Sequence, residues 1–163
     1  AAIYECADET WTIDDWRAAW SRTLQVNLQA PADLCKSAIN YFAAKKSGII
    51  INVTSRGADR GEMPNYAHYS ASKGGLASFT RTIARSYAKD GILAYIVSPG
   101  WTETEMAKEG APPGVLEAVE AESPLGGLTQ PEDVAEIITF LASGRARHAT
   151  GGTIDVNGGS YIR

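Results

Sequence analysis

The chain has 163 residues, 44% of them hydrophobic, and a formal net charge of -4 at pH 7. That is enough apolar material for one domain with a real core. No apolar run approaches the roughly 18 residues of a membrane span, no signal-peptide pattern occupies the first residues, and Lys and Arg are not clustered as a nucleic-acid footprint requires. The two cysteines, Cys6 and Cys35, lack metal-ligand spacing, so we expect no metal site, reduced thiols and a cytoplasmic protein.

Thr12 and Asp15 have capping-box spacing, and Trp16, Ala19, Trp20, Thr23 and Leu24 recur at helical spacing behind them, which predicts a helix over 13–26. Pro31 opens a second predicted helix, with Leu34, Cys35, Ala38, Tyr41 and Phe42 as its apolar stripe and Lys45-Lys46-Ser47-Gly48 as its stop. Ile49 to Val53 is a continuous β-branched run, as expected of a strand buried on both faces of a parallel sheet. Ser55 lies just past the carboxyl end of that strand, where open α/β sheets place their ligands, and this favours Ser55 over Thr54 as a hydroxyl for a substrate oxygen.

A loop is predicted over 56–65 and a long helix from about 66 to 89, with Gly91 as its cap. The Gly74-Gly75 pair inside that helix predicts a close approach to the sheet or to a symmetry mate. Tyr69 and Lys73, four residues apart, share a helix face. An ammonium beside a phenol should draw its pKa from ~10 towards ~7, a change of roughly 4 kcal/mol, and make Tyr69 a proton donor. Tyr66 has Ser70 rather than a cation at the same spacing. A second strand over 92–97 delivers the chain to Ser98-Pro99-Gly100. Residues 101–126, rich in Glu and interrupted by Pro112-Pro113-Gly114, are predicted to form a substrate lid with little to hold it down, and its acidity disfavours a strongly anionic substrate. A helix over 132–143, a strand over 153–156 and a turn at Asn157-Gly158-Gly159 close the chain. His148 reads as a surface residue, and His68 as a residue of the surface or the substrate loop.

Asn27, the IIINVTS segment ending at Ser55, Tyr69-Ser70-Ala71-Ser72-Lys73, the Pro99-Gly100 turn and the closing Val156-Asn157-Gly158-Gly159 fall in a fixed order. Together they resemble the short-chain dehydrogenase/reductase family along the whole chain. The resemblance implies an α/β fold, a Rossmann-like doubly wound parallel sheet with helices on both faces, present as one domain over 1–163 and incomplete at its N-terminal half. No Gly-rich phosphate-binding turn is found in the sequence, and Ala1-Ala2-Ile3 resembles the segment that comes directly after the first roughly 80 to 90 residues of a family member.

By the same resemblance Asn27, Ser55, Tyr69 and Lys73 form a catalytic tetrad. Ser55 would hold the substrate oxygen and Tyr69 exchange the proton there. Lys73 would lower the phenol's pKa and bond the nicotinamide ribose, and Asn27 would anchor a water linking Lys73 to solvent. Pro99 and Gly100 would lie against the nicotinamide, with Thr102 contacting the cofactor by its backbone and Thr104 by its side chain. The implied activity is NAD- or NADP-dependent oxidoreduction of a small-molecule carbonyl or secondary alcohol. The implied assembly is a homo-oligomer through the helices at 13–46 and 66–89, with Trp16, Trp20 and Tyr41 as candidate interface residues. Two other readings stay open. One is a catalytically inactive oligomerisation module. The other is an epimerase or dehydratase of the extended relatives that share Tyr-x-x-x-Lys, disfavoured by the short span after Pro99-Gly100.

Overall fold

Three parallel strands, β1 (Gly48–Val53), β2 (Ile92–Pro99) and β3 (Thr153–Val156), lie side by side in that order in the computed structural model, which describes residues 2–105, 107 and 114–163. The expected run of β-branched and aromatic residues makes β2 the central strand, and Ile92 to Ser98 are all buried. Its alternation sorts the core into two layers. Ile92 and Ala94, with Ile50 of β1, face Cys35 and Ile39 of helix α2 (Ala30–Lys45) and Ile83 and Ala84 of helix α4 (Ala67–Tyr87). Leu93, Tyr95 and Val97 face the other way, onto Val134, Ile137, Ile138 and Leu141 of helix α6 (Pro131–Ala142). Helices therefore cover both faces of a parallel sheet, as the sequence predicts.

The helix α1 (Ile13–Leu24) begins at Thr12, whose hydroxyl accepts from the Asp15 N–H at 3.2 Å. It does not stop before Pro31. A π-helical turn over Gln25–Gln29 carries it directly into α2, with the Ala30 N–H donating to the Gln25 carbonyl. Proline has no N–H, so the ordinary bond from residue 31 to the Asn27 carbonyl cannot form, and the widened turn absorbs the defect where a break was predicted. Asn27 is therefore inside a continuous helical rod rather than after a helix. Leu34 and Tyr41, expected in the inward stripe of α2, are exposed, because residues seven apart share a face and that face is opposite Cys35 and Ile39.

The predicted loop over 56–65 contains a one-turn helix, α3 (Gly57–Arg60), and a 3-10 turn at Pro64–Tyr66. The Gly74-Gly75 pair does not contact the sheet. A Cβ on Gly75 would lie 3.0 Å from Leu28 of the π-turn, and one on Gly74 3.4 Å from the Ala58 carbonyl of α3. Gly91 adopts the left-handed conformation after the 3-10 turn Ala88–Asp90, and a Cβ there would strike the Lys46 carbonyl at 2.0 Å. In the predicted lid, Val115–Glu122 forms helix α5, while residues 106 and 108–113 lie outside the described ones.

Ile83 is 1% exposed at the centre of the α2–α4 layer. Ile83→Ala should lower the unfolding free energy by about 3 kcal/mol in urea titrations, whereas the exposed Arg85→Ala should change it by less than about 0.5 kcal/mol.

Candidate active site

Strands β1 and β2 pair in register up to Val53 opposite Val97, so their carboxyl ends are level. Two bonds continue the pairing past the strands, Thr54 N–H to the Val97 carbonyl (2.8 Å) and Arg56 N–H to the Pro99 carbonyl (2.9 Å). Ser55 and the Pro99-Gly100 turn thus emerge side by side, and the start of α4 crosses above them. Between these segments is a cavity of 220 Å³ lined by Ser55, Tyr69, Lys73, Pro99, Gly100, Thr102 and Thr104. Seven of the eight residues singled out from the sequence therefore converge on one space.

Asn27, the eighth, does not line the cavity. It is 1% exposed, and its side chain clamps the backbone of Ile3, donating to the Ile3 carbonyl and accepting from the Ile3 N–H, both at 2.9 Å. The entering chain is thereby fixed beside the cavity.

The Ser55 hydroxyl accepts from the Gly57 N–H at 3.1 Å and is close enough to the Tyr69 phenol to act on its pKa. Lys73 is on the Tyr69 side of α4, its ammonium 5.7 Å from the ring centre, and donates to the Val53 carbonyl at 3.2 Å. The shared face predicted from the four-residue spacing is present. The predicted fall in the phenol's pKa is not. Burial pushes Tyr69 up to about 12, the Ser55 hydroxyl pulls down, and Glu62 raises it further. Burial acts on the lysine too and draws it down to about 8. In this chain desolvation is the largest influence on both groups, leaving a phenol that keeps its proton and an ammonium still charged at neutral pH.

Gly100 was expected to admit a flat ring against the backbone. It lines the cavity, and a Cβ at that position would also meet Asn157, 2.9 Å from its Cβ, so the glycine allows the turn to pack against the closing Asn-Gly-Gly segment too. The hydroxyls of Thr102 and Thr104 turn back on their own main chain, donating to the carbonyls of Gly100 (3.2 Å) and Thr102 (3.4 Å).

Among the cavity residues that escaped the sequence reading are two aromatic and two charged ones, Tyr4, Trp101, Arg56 and Glu62. Tyr4 stacks on Tyr66 at 4.1 Å between ring centres and meets Tyr69 edge-on at 4.8 Å. Arg56, immediately after Ser55, is 2% exposed, with Nη2 2.9 Å from the Glu122 carboxylate and Nη1 donating to the Ser160 hydroxyl at 2.6 Å. Arg60 also reaches Glu122, at 3.1 Å, so α5 is anchored, contrary to the expectation of a loosely held segment. His68 is a second correction. It is 1% exposed, against Trp20 at 5.9 Å between ring centres, and belongs neither to the surface nor to the cavity lining. His148 is exposed, as expected.

A family model described as enoyl-(acyl carrier protein) reductase matches residues 2–161. The chain belongs to the short-chain dehydrogenase/reductase family. Among its relatives, a cis-4-hydroxycyclohexanecarboxylate dehydrogenase of Sinomonas cyclohexanicum is 39% identical over 142 residues, covering 87% of this chain and 56% of that protein. A 3-oxoacyl-[acyl-carrier-protein] reductase of Pseudomonas aeruginosa is 37% identical over 145 residues, covering 88% and 57%. The solved structure of a gluconate 5-dehydrogenase from Burkholderia cenocepacia, in complex with NADP and tartrate, superposes with a TM-score of 0.89 at 26% identity, over 99% of this chain and 63% of that one. This short-chain dehydrogenase/reductase chain thus spans a little over half the length of the curated relatives it matches.

Burial of Lys73 has a consequence for stability. Its folded pKa is about 8 against an ordinary 10.5. Between those values the unfolded chain binds more protons than the folded one, so stability rises with pH. Tyr69 acts with the opposite sign, but only above its ordinary value of 10.0. Wild type should therefore gain unfolding free energy relative to Lys73→Met as the pH is raised from about 8 to about 10. A constant difference across that range in urea titrations would contradict the burial of a charged Lys73.

Proposed function

We propose that this chain carries the catalytic part of an NAD- or NADP-dependent oxidoreductase that reduces a carbonyl, or oxidises the corresponding secondary alcohol, with Tyr69 as the acid or base. The observation that carries the reading is the convergence of Ser55, Tyr69 and Lys73 with the Pro99–Thr104 segment on one cavity. The names of the relatives support it, since all those described above are dehydrogenases or reductases.

Ser55 supplies the hydroxyl that receives the substrate oxygen. Tyr69, beside it, gives that oxygen a proton in the reductive direction. A phenol pushed up by burial holds its proton at neutral pH and is in the form that reduction requires. A bound nicotinamide would supply the hydride. The residues present fit such a group. The Lys73 ammonium has three N–H donors, of which the Val53 bond uses one, leaving two for ribose hydroxyls in the same cavity. Pro99, Gly100, Thr102 and Thr104 form the wall on the other side. Asn27 enters through its main chain. Because Pro31 cannot donate to it, the Asn27 carbonyl is the acceptor at which we place a water that returns protons to Lys73.

The segment 101–126 acts as the substrate lid, with α5 as its anchored end. The helices at 13–46 and 66–89 form the contact between copies of the chain, the exposed Tyr41 being the clearest candidate for it.

Tyr69→Phe removes only the phenolic oxygen and keeps the ring in its edge-on contact with Tyr4. In the natural gene product supplied with nicotinamide dinucleotide it should lower carbonyl turnover by about 10²- to 10⁴-fold while leaving the circular dichroism spectrum unchanged. Wild-type turnover by this variant would refute the assignment of the acid. Turnover without net change in the nicotinamide absorbance would favour the epimerase or dehydratase reading.

A further inference from the structure

The most unusual side chain in the cavity is Arg56. A guanidinium 2% exposed has all its donors to satisfy within the protein. Glu122 takes Nη2 and Ser160 takes Nη1, but Nε, also buried, has no partner among the described residues. The Tyr4 hydroxyl is buried and unpartnered among the described residues as well, and Tyr4 lines the same cavity. The two groups are close enough for the guanidinium to act on the phenol electrostatically. Two orphaned donors on residues that line one cavity are costly unless something that accepts hydrogen bonds reaches them.

The surrounding charges say what kind of acceptor fits. Among the described residues, Arg56 and Arg60 are balanced by Glu62 and Glu122 when all are ionised, and Lys73 is the remaining cation of the cavity lining. A single carboxylate would balance the site, whereas a dianion would overshoot. The acidity of the 101–126 segment does not exclude this, because Glu122 is already committed to Arg56 and Arg60. Arg56 directly follows Ser55, so an acid held at Arg56 lies only a few bonds from an oxygen held at Ser55. Tyr4 and Trp101 present aromatic walls, their ring centres 6.0 Å apart and nearly perpendicular.

We propose that the substrate is a compact hydroxy or oxo monocarboxylic acid whose carboxylate, distinct from the reacting carbon, is received by Arg56 Nε and the Tyr4 hydroxyl. This rests on the oxidoreductase reading above.

The test uses the natural gene product and two kinds of probe. In calorimetry, cyclohexanecarboxylate should bind at least about tenfold more tightly than the neutral cyclohexanecarboxamide, the fold-change expected of a charge-assisted hydrogen bond. In turnover with nicotinamide dinucleotide, 4-hydroxycyclohexanecarboxylate should be preferred over its methyl ester. Arg56→Gln and Tyr4→Phe should each abolish most of both preferences, mainly by raising KM for the acid, with the ester little affected. Glu122→Gln should retain or enlarge them. If wild type treats acid and ester alike, the carboxylate anchor is wrong although the oxidoreductase reading survives. Equal loss of acid and ester turnover in Arg56→Gln, together with loss of the preference in Glu122→Gln, would show that Arg56 only ties α5 in place and overturn the proposal. Should no alcohol be oxidised at all, the oxidoreductase reading fails, while the calorimetric preference still decides the anchor; and if Arg56→Gln does not fold, an unchanged preference in Tyr4→Phe overturns it.

Discussion

The hydrogen bond from the Lys73 ammonium to the Val53 carbonyl is the contact on which the arrangement of the site turns. It joins the face of α4 to the last residue of β1, and it does so where the strand ends and the chain turns through Ser55. A charged amine this deeply buried must find acceptors, and an acceptor at a strand end is fixed by the sheet. Because α4 is also packed on the sheet through Ile83 and Ala84, its orientation is over-determined, and Tyr69, one turn before Lys73, is kept at the cavity with Ser55.

That arrangement changes the electrostatics from what two residues on a helix would suggest. The spacing of Tyr69 and Lys73 states only that they share a face. It says nothing about how dry that face is. Burial penalises the phenolate and the ammonium alike, which moves the tyrosine up and the lysine down. The pair is therefore poised as a protonated acid beside a cation that is easily lost. Groups that enter the cavity, above all those that bring hydrogen-bond partners to Lys73, act on both.

Much of this was legible in the sequence because it follows from periodicity and from strand ends. The β-branched run from Ile49 and the one from Ile92 specify buried parallel strands, and ligands collect at their carboxyl ends. Ser55, Pro99 and Gly100 were found in that way. Residues that reach the site by tertiary routes were invisible. Tyr4 comes in from the start of the chain, held by the Asn27 clamp on Ile3. Arg56 sits beside the serine that was recognised, yet nothing in a linear sequence tells whether an arginine after a strand turns outward or is buried under a helix sixty residues later. The π-turn at Gln25–Gln29 was readable in principle, since Pro31 removes one bond of the ladder, but a proline predicts a break and a widened turn equally well. The second demand on Gly100, close packing against Asn157, was hidden for a similar reason, that neighbour being distant in sequence.

The central claim is that Lys73 is a desolvated ammonium held at the end of β1 beside Tyr69. Carbon-13 labelling of the lysine ε-carbons and an NMR titration of the folded chain would test it most directly. One lysine signal, absent in Lys73→Met, should titrate with a midpoint near 8. If that signal instead titrates near the ordinary 10.5 with the solvent-exposed lysines, the ammonium is in water, and the account of the site built on its burial is wrong.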